Sequence, residues 1–189
     1  MRKLSPDEKL AQGFFASYKL NAEPYEGDQL QEHRTPDFKV SCDDGFFFFS
    51  EVKSFNTKVG SDGLLHTRVF NVFTTAIHDA YGQFRAVNSQ HIVPNVLVFV
   101  THNFQIDWHA FKEFLQGYIA FADGKDSVIP LRKVSRGVYK TEVKQIDLFV
   151  FLQGNKPDFF FNRTEQFFKN RLLRLFRADN AKISRLRVG

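Results

Sequence analysis

"RTPDFKVSCDDGFFFFSEVKSF", residues 34–55, carries the pattern of a complete β-hairpin, and the fold of the chain is predicted outward from it. Pro36 pushes the residue before it toward extended geometry, and residues 37–41 continue as a strand. The Asp-Asp-Gly at 43–45 has the turn chemistry of a tight hairpin, because glycine tolerates a positive φ. Residues 46–53 are therefore predicted to form the return strand.

The return strand begins with four consecutive phenylalanines, at positions 46–49. Side chains alternate between the two faces of a sheet, so this run is apolar on both faces. Such a run is typical of a central strand in a sheet that is covered on both sides. The chain has 189 residues, of which 24 are phenylalanine, 43% are hydrophobic and 25% are charged. These values predict a single domain, residues 1–189, with a sizeable core.

Periodicity predicts the elements around the hairpin. Ser5 is the candidate N-cap of the first helix, and Pro6 occupies its first position. The predicted elements are a helix at 6–18, a short strand and loop at 20–33, a loop at 54–67, a helix with an apolar stripe at 69–87, a buried parallel strand at 95–100, a helix at 107–122 with Asp107 as N-cap, an irregular segment at 123–144, a strand at 146–152 and a final helix or helix pair at 165–187. This order predicts an α/β fold, a mixed central β-sheet flanked by helices.

Cysteine content and apolar runs bear on the cellular compartment. The single cysteine, Cys42, excludes an internal disulfide and is expected of a reducing cytoplasm. We interpret Cys42 as an inert thiol at a strand end. Residues 1–12 (MRKLSPDEKLAQ) are charged throughout and have no apolar signal core. The apolar run at 95–100 is far shorter than the roughly 20 residues of a membrane helix, so a cytoplasmic protein without membrane contact is expected.

Positive charge is concentrated toward the C-terminal end. Residues 163–189 carry a net charge of +6, which leaves −1 for the other 162 residues. The sequence predicts a basic helical extension at about 160–189, in which Arg171, Arg174 and Arg177 face away from an apolar stripe. Such a face is typical of contacts with a polyanion. A solvated helix face is the alternative interpretation.

Two charged side chains interrupt the end of the apolar return strand. Glu51 and Lys53 point to one face of the sheet while Val52 points to the other, and buried charges are costly without partners. The opposite arm of the hairpin brings Asp37 to the same end of the sheet. Two neighbouring carboxylates repel each other unless a cation lies between them, and carboxylate oxygens with water suit Mg²⁺. An ammonium group beside them can orient water or offset charge that develops on a phosphate.

This arrangement, with Pro-Asp at 36–37, thirteen intervening residues and Glu-Val-Lys at 51–53, resembles the signature of the PD-(D/E)xK nucleases, the restriction-endonuclease-like superfamily. The resemblance covers about residues 5–103. It implies an αβββαβ core, to which this chain adds a C-terminal helix. It also implies Mg²⁺-dependent hydrolysis of phosphodiester bonds, with Mn²⁺ as a substitute metal.

The resemblance implies a role for each matching residue. Asp37 and Glu51 would be metal ligands, the Val52 carbonyl a further ligand, and Lys53 the catalytic lysine. Family members often add a polar residue from the following helix, and Gln83 is the natural candidate. Many members also place a glutamate on the first helix or just after it. Four glutamates compete for this position: Glu8, Glu23, Glu26 and Glu32.

Other motifs carry less weight. A second match to the spacing, Pro-Asp at 6–7 with Asp-Phe-Lys at 37–39, is rejected because positions 6–7 open a helix and no apolar strand precedes Asp37. The six histidines show no metal-ligand spacing, so zinc is not expected. The sequence contains neither of the common Gly-rich phosphate-binding motifs.

The sequence therefore predicts a small Mg²⁺-dependent DNA nuclease, most consistent with an endonuclease, in a defence, mobile-element or repair setting. Arg171, Arg174, Arg177 and Lys58, the last in the loop after the return strand, are the predicted contacts to nucleic acid. An RNA nuclease with the same site and a non-catalytic nucleic-acid-binding module that retains the fold are the open alternatives. Double-strand cutting with one site per chain would require a homodimer.

Overall fold

A mixed β-sheet with helices on both faces forms the framework of the chain. The computed structural model describes residues 2–25, 35–55, 65–102, 106–116, 118–120, 128–130, 139–153, 156–162 and 165–176. Its helices are α1 (Pro6–Ser17), α2 (Leu65–Val87), α3 (Trp108–Gln116), α4 (Tyr139–Val143) and α5 (Gln166–Leu175). Its strands are β1 (Asn21–Pro24), β2 (Phe38–Ser41), β3 (Phe47–Phe55), β4 (Asn95–Thr101), β5 (Tyr118–Ala120), β6 (Val128–Pro130), β7 (Leu148–Gln153) and β8 (Lys156–Phe161).

Six of the described strands form one sheet in the order β1-β2-β3-β4-β7-β8, and β5 and β6 form a separate pair. Strands β1, β2 and β3 are antiparallel, β3, β4 and β7 are parallel, and β8 returns antiparallel to β7. The predicted α/β class and the mixed central sheet are therefore confirmed. No described helix is both long enough and apolar enough to cross a membrane.

The β2–β3 hairpin is built as its sequence predicts. Gly45 has a φ of +81°, a conformation that glycine adopts without a clash from a Cβ atom. The Cys42 N–H donates a hydrogen bond of 2.9 Å to the Phe46 carbonyl and closes the turn. Strand β3 runs to Phe55, two residues beyond the predicted end at 53.

The consecutive phenylalanines lie on both faces of β3. The Phe48 ring packs toward α5, with its centroid 6.2 Å from that of Phe176, and Phe49 belongs to the apolar cluster on the α2 face. Phe46 and Phe47, next to the hairpin turn, are half-buried. The prediction of a central strand covered on both sides is therefore confirmed.

A capping box fixes the start of α1. The Ser5 side-chain oxygen accepts a hydrogen bond of 3.2 Å from the Glu8 N–H, and Glu8 Oε2 accepts one of 2.6 Å from the Ser5 N–H. With Pro6 at the first helical position, both reciprocal bonds satisfy donors that a helix start leaves unpaired. The predicted first helix and its N-cap are confirmed. The same contacts hold the Glu8 carboxylate at the N-terminal end of α1.

Helix α2 and strand β4 complete the central unit. Phe73, Ile77 and Phe84 belong to the buried stripe of α2 that packs on the sheet. Strand β4 is buried along its whole length between its parallel neighbours β3 and β7. The predicted long helix and the buried parallel strand are confirmed. The predicted loop at 54–67 is too long, because β3 extends into it and α2 begins before its end.

Two predictions between β4 and β7 are wrong in their details. Asp107 caps α3, since its Oδ1 accepts a hydrogen bond of 2.8 Å from the Ala110 N–H, but the helix ends at Gln116 and not at 122. The next residue in the sequence is a glycine, which disfavours a helix interior. The segment 123–144, predicted to be irregular, contains β6 and α4.

The sequence analysis does not predict β8, which is an edge strand of the main sheet. Its first residues, Lys-Pro-Asp at 156–158, have the composition of a turn, and proline is tolerated there because one side of an edge strand has no ladder bonds to make. Helix α5 confirms the start of the predicted final helix. Residues 177–189, the predicted continuation, lie outside the described residues.

A buried polar cluster lies at the end of the sheet where β4 and β7 begin. The Asp147 side chain is fully buried, and its Oδ2 accepts hydrogen bonds of 2.7 Å from both the Asn95 N–H and His91 Nε2. Asn88 donates to the Asn95 side-chain oxygen at 2.9 Å. His91 has a φ of +51°, in the left-handed region. The cluster thus ties the turn after α2 to the start of β7.

The hydrogen bond with Asp147 raises the pKa of His91 above its ordinary value of 6.5, against the opposing effect of burial. A His whose pKa is raised on folding contributes stability that is fully present below its unfolded pKa and is lost as the pH rises through the folded value. The contribution of His91 to the free energy of unfolding should therefore decline from about pH 6.5 upward. Glu165, on the segment before α5, acts in the same direction as Asp147.

Replacing His91 by asparagine tests this pH dependence, because asparagine tolerates a positive φ but carries no charge. We expect His91→Asn to lower the free energy of unfolding by about 2 kcal/mol at pH 6. The loss should shrink by at least half at pH 9. Urea denaturation of both proteins at the two pH values measures the effect, and a loss that is larger at pH 9 would contradict the assignment.

Candidate active site

Asp37 lies at a bend directly before β2 and connects the two arms of the hairpin. Its Oδ2 accepts a hydrogen bond of 2.9 Å from the Val52 N–H, and its own N–H donates one of 3.1 Å to Glu51 Oε2. The backbone pairing of β2 with β3 ends one residue away, at Phe38 and Ser50. The Asp37 carboxylate therefore accepts a hydrogen bond from β3 at the point where backbone pairing between β2 and β3 has ended.

The Val52 carbonyl belongs to the same edge of β3. In an extended strand the N–H and the C=O of one residue face the same neighbouring strand. Since the Val52 N–H donates to Asp37, its carbonyl also faces the side on which Asp37 lies. Phe49 and Phe55 face the other neighbour, because their backbone groups bond to Pro94 and His102 at the two ends of β4.

Glu51 and Lys53 lie on the face of β3 that α2 covers, as the alternation predicts. The Glu51 side chain is only 4% exposed, and its Oε1 lies 2.9 Å from Lys53 Nζ. Lys53 Nζ also donates a hydrogen bond of 2.8 Å to Gln83 Oε1. The ammonium group is therefore held between a carboxylate of its own strand and an amide of α2.

Gln83 connects α2 to the segment before the hairpin. Its Nε2 donates a hydrogen bond of 3.0 Å to the Thr35 carbonyl while its Oε1 accepts from Lys53. The residue is buried, so both ends of the amide are used inside the protein. This geometry fixes the position of the Lys53 side chain.

Of the two candidate glutamates among the described residues, Glu8 lies beside Asp37. The Arg2 guanidinium lies 2.7 Å from Glu8 Oε1 and 2.8 Å from Asp37 Oδ1, and so bridges the two carboxyl groups. Glu23 instead accepts a hydrogen bond from the Asn21 side chain on β1. The two remaining candidates, Glu26 and Glu32, lie outside the described residues.

Negative charge is costly in this site. Burial raises the pKa of Glu51 to about 8, and the nearby Asp37 adds to the shift while Lys53 opposes it. Burial also raises the pKa of Asp37, with the hydrogen bond to Glu8 in the same direction. Burial alone would raise the pKa of Glu8 too, but its hydrogen bonds and the charge of Arg2 outweigh burial and lower it. An additional cation would relieve the cost of ionising Asp37 and Glu51.

The donor set is suited to a hard divalent cation. Two carboxylates and a backbone carbonyl, from Asp37, Glu51 and Val52, are oxygen ligands of the kind that Mg²⁺ takes together with water. Among the described residues, no group of three or more His, Cys, Asp or Glu side chains is arranged to hold a metal ion. Waters would therefore have to complete the coordination shell.

A groove opens beside Lys53, between the end of β3 and α2, with a volume of about 360 Å³. Polar side chains from successive turns of α2 line it, at positions 71, 75 and 79, together with Ser54 of β3. These positions are spaced by four residues and so lie on one face of the helix, and Gln83 continues the row. The groove provides room for a ligand next to the ammonium group.

Only two of the four residues predicted to bind nucleic acid lie in the part of the chain that the structure describes. Lys58 and Arg177 lie outside the described residues. Arg171 forms an ion pair with Asp44 in the hairpin turn, and its guanidinium lies 5.0 Å from the centre of the Phe46 ring. Arg171 is therefore engaged within the protein, and its contact with nucleic acid stays a prediction. Arg174 is exposed on α5.

Arg2 and Thr35 are the contributors that the sequence analysis misses. A surface arginine near a helix start has no local pattern that marks it as part of a site. For Glu8, the capping-box pattern Ser5-x-x-Glu8 was the available signal, because it commits this glutamate to the N-terminal end of α1.

Comparison of the chain with protein-family models, with curated proteins and with solved structures found no match. The fold and the site together define an α/β protein with a carboxylate–lysine cluster at one end of an antiparallel hairpin.

Proposed function

We propose that this chain is a Mg²⁺-dependent DNA nuclease whose site is formed by Asp37, Glu51, Lys53 and Gln83. The observation that carries the proposal is the reciprocal contact between the hairpin arms. Asp37 accepts from the Val52 N–H at 2.9 Å, its N–H donates to Glu51 at 3.1 Å, and Lys53 Nζ lies 2.9 Å from Glu51. These contacts hold two carboxylates and one ammonium group in a fixed arrangement, which metal-assisted phosphodiester hydrolysis requires.

Each side chain has a separate role in this proposal. Asp37 and Glu51 would hold the Mg²⁺ ion, with the Val52 carbonyl as a further ligand. When bound, the ion supplies Lewis acidity and charge neutralisation for attack on the phosphorus. Lys53 would donate hydrogen bonds to the attacking water or to a phosphate oxygen on which charge develops. Gln83 would act as a positioning residue, because its amide oxygen holds Lys53 Nζ.

The order of the elements supports a restriction-endonuclease-like core. Helix α1, the antiparallel strands β1 to β3, helix α2 and the parallel strand β4 follow one another as αβββαβ. Asp37 directly precedes the second of these strands, and Glu51 and Lys53 belong to the third. In this proposal β7, β8 and α5 extend the core, and cutting both strands of a duplex would require a homodimer.

A cleavage assay tests the proposed function. Supercoiled, linear and single-stranded DNA are incubated with the protein and Mg²⁺ or Mn²⁺, and an RNA of the same sequence runs in parallel. We expect the wild type to cut DNA and EDTA to abolish cutting. Asp37→Asn and Lys53→Met should each lower the rate by about 10³-fold, because the first removes a proposed ligand of the metal ion and the second removes a cation that would stabilise charge on the phosphate.

Two exposed residues provide matched controls for these variants. Asp43→Asn in the hairpin turn and Lys9→Met on α1 make the same chemical changes outside the site, and both should cut at the wild-type rate. If the wild type cuts RNA and does not cut DNA, the substrate is RNA and the proposed substrate class is wrong. Cutting that survives in Asp37→Asn would contradict the assignment of the site.

A non-catalytic nucleic-acid-binding module is the second candidate, and one observation favours it. Arg2 bridges Asp37 and Glu8, so a positive side chain already neutralises part of the cluster. Thermal unfolding separates the candidates. A nuclease site should be stabilised by Mg²⁺ in the wild type and not in Glu51→Ala, whereas a binding module should show no such difference and should bind DNA with a steep dependence on salt.

A further inference from the structure

A second groove lies between α5 and the turn of the β2–β3 hairpin, with a volume of about 310 Å³. It is lined by two phenylalanines, two arginines and an asparagine: Phe46, Phe167, Asn170, Arg171 and Arg174. None of these residues takes part in the carboxylate–lysine cluster. We refer to this feature as the α5 groove.

Arg171 connects the two walls of the α5 groove. It forms an ion pair with Asp44, and its guanidinium stacks on the Phe46 ring at 5.0 Å from the centroid. Cation–π contacts of this kind stabilise a defined position of both groups. Arg171 therefore holds α5 against the hairpin turn, and its charge is already neutralised by Asp44.

Phe167 is the least expected residue of the α5 groove. Its side chain is 67% exposed, although α5 buries Leu172 and Phe176 in the core on its other side. Next to a groove, this ring offers a flat apolar face on which another ring can stack. The core does not need this ring, since it packs only against its neighbour Phe168 at 6.0 Å among the described contacts.

Charge limits the kind of partner that fits the α5 groove. Asn170 and Arg174 are exposed on α5 about one and two turns after Phe167, so an amide and then a cation follow the ring along the groove. Exposed aromatic rings interleaved with positive groups are the combination with which proteins bind single-stranded nucleic acid, because bases stack on the rings and phosphates contact the cations.

We propose that the α5 groove binds an unpaired stretch of nucleic acid, with a base stacked on Phe167 and a phosphate at Arg174. Asn170 would offer its amide to the edge of the stacked base. The proposal rests on the proposed function for the identity of its ligand and deepens it, since it names a substrate with a single-stranded segment.

Equilibrium binding in EDTA tests this proposal without any cleavage. Fluorescence anisotropy is measured with a fluorescein-labelled oligo(dT) of twenty nucleotides and with a duplex of the same length. We expect Phe167→Ala to weaken binding of oligo(dT) by about tenfold, because it removes one base–aromatic stack, and binding of the duplex by less than about twofold. Arg174→Gln should weaken both and lower the slope of log K against log salt by about one.

Two further variants make the result specific. Leu10→Ala removes a side chain that is 47% exposed on α1, outside the α5 groove, and should bind both probes as the wild type does. Phe167→Trp should retain affinity for oligo(dT), and the emission of the new indole should be quenched when the oligonucleotide binds.

Each outcome bears on the proposal. Selective loss of oligo(dT) binding in Phe167→Ala supports the proposal, even if the wild type cuts no DNA. In that case the α5 groove would be the binding site of a non-catalytic module. Wild-type protein that does not bind oligo(dT), equal losses for single strand and duplex, or equal affinities of Phe167→Ala and Leu10→Ala would overturn it. The cleavage assay with Asp37→Asn fails or succeeds independently of these binding measurements.

Discussion

Glu51→Gln is expected to abolish metal-dependent cleavage and, at the same time, to stabilise the metal-free protein. Burial raises the pKa of the Glu51 carboxyl to about 8, with Asp37 adding to the shift. A carboxyl whose pKa is higher in the folded state than in the unfolded state makes stability fall as the pH rises between the two values. The wild type therefore loses stability between about pH 4.5 and 8, and the amide of the variant does not titrate.

The expected gain is about 2 kcal/mol in the free energy of unfolding at pH 9, since removing a poorly compensated buried charge is often stabilising by such amounts. For a chain of this size that is about 6 °C in the melting temperature. At pH 5 the two proteins should differ little. The measurement is urea and thermal unfolding in EDTA at both pH values, and a variant less stable than wild type at pH 9 would show that the Glu51 carboxylate supports the fold.

Glu23→Gln is the matched control for this experiment. Glu23 is exposed on β1, where it accepts a hydrogen bond from Asn21. The same chemical change there should leave both the pH profile of stability and the cleavage rate unchanged. A gain in stability that comes with a loss of activity in Glu51→Gln alone is the behaviour of a residue kept for function.

Phe99→Ala is expected to lower the free energy of unfolding by about 4 kcal/mol, the range for removing a fully buried phenyl ring. Phe99 lies on the central strand β4 and is fully buried. Its ring contacts aromatic rings from four other elements, with centroid distances between 4.9 and 6.1 Å: Phe55, Phe73, Phe111, Phe149 and Phe151. Because these neighbours come from β3, α2, α3 and β7, the cavity cannot close by moving one of them.

Chemical denaturation of Phe99→Ala beside Phe167→Ala measures this effect against a matched residue. Removal of the exposed ring in Phe167→Ala should lower the free energy of unfolding by less than about 0.5 kcal/mol, although the chemical change is the same. With a total stability of about 5–15 kcal/mol for a domain, Phe99→Ala would leave little reserve. A loss below about 1.5 kcal/mol for Phe99→Ala would mean that the aromatic cluster repacks around the missing ring.

The central part of the fold could be predicted because its signals are local. The turn at 43–45 needs a glycine with positive φ, and the alternation of Phe48 and Phe49 between two faces follows from the geometry of a strand. The stripe on α2 and the uniform burial of β4 follow in the same way. For these elements, the residues that decide the structure are neighbours in the sequence.

The missing or wrong predictions concern elements whose structure depends on residues that are far apart in the sequence. Strand β8 begins with Lys-Pro-Asp, which is typical of a turn, and it becomes a strand because the apolar edge of β7 is available to pair with it. The end of α3 has a local signal, the glycine at position 117, but the strand β5 that follows is defined by its pairing with β6. Neither pairing has a local pattern, so the sequence alone could not separate these elements from the alternatives.

Part of the candidate site could likewise be predicted from the sequence, and part could not. The spacing of Asp37, Glu51 and Lys53 on two arms of one hairpin was visible in the sequence, and the structure brings the three side chains together. The position of Glu8 beside Asp37 depends on how α1 packs on the sheet. The ion pairs of Arg2 depend on that packing too, because they join two elements far apart in the chain.

The alternation of side chains along β3 has a consequence for how this chain can evolve. Insertion or deletion of one residue between the turn and Glu51 would shift the strand by one position and exchange its two faces. Glu51 and Lys53 would then enter the apolar layer under α1, and Val52 would take their place beneath α2. Substitutions in β3 can accumulate one at a time, but a change in its length would remove the core contacts and the charged cluster in a single event.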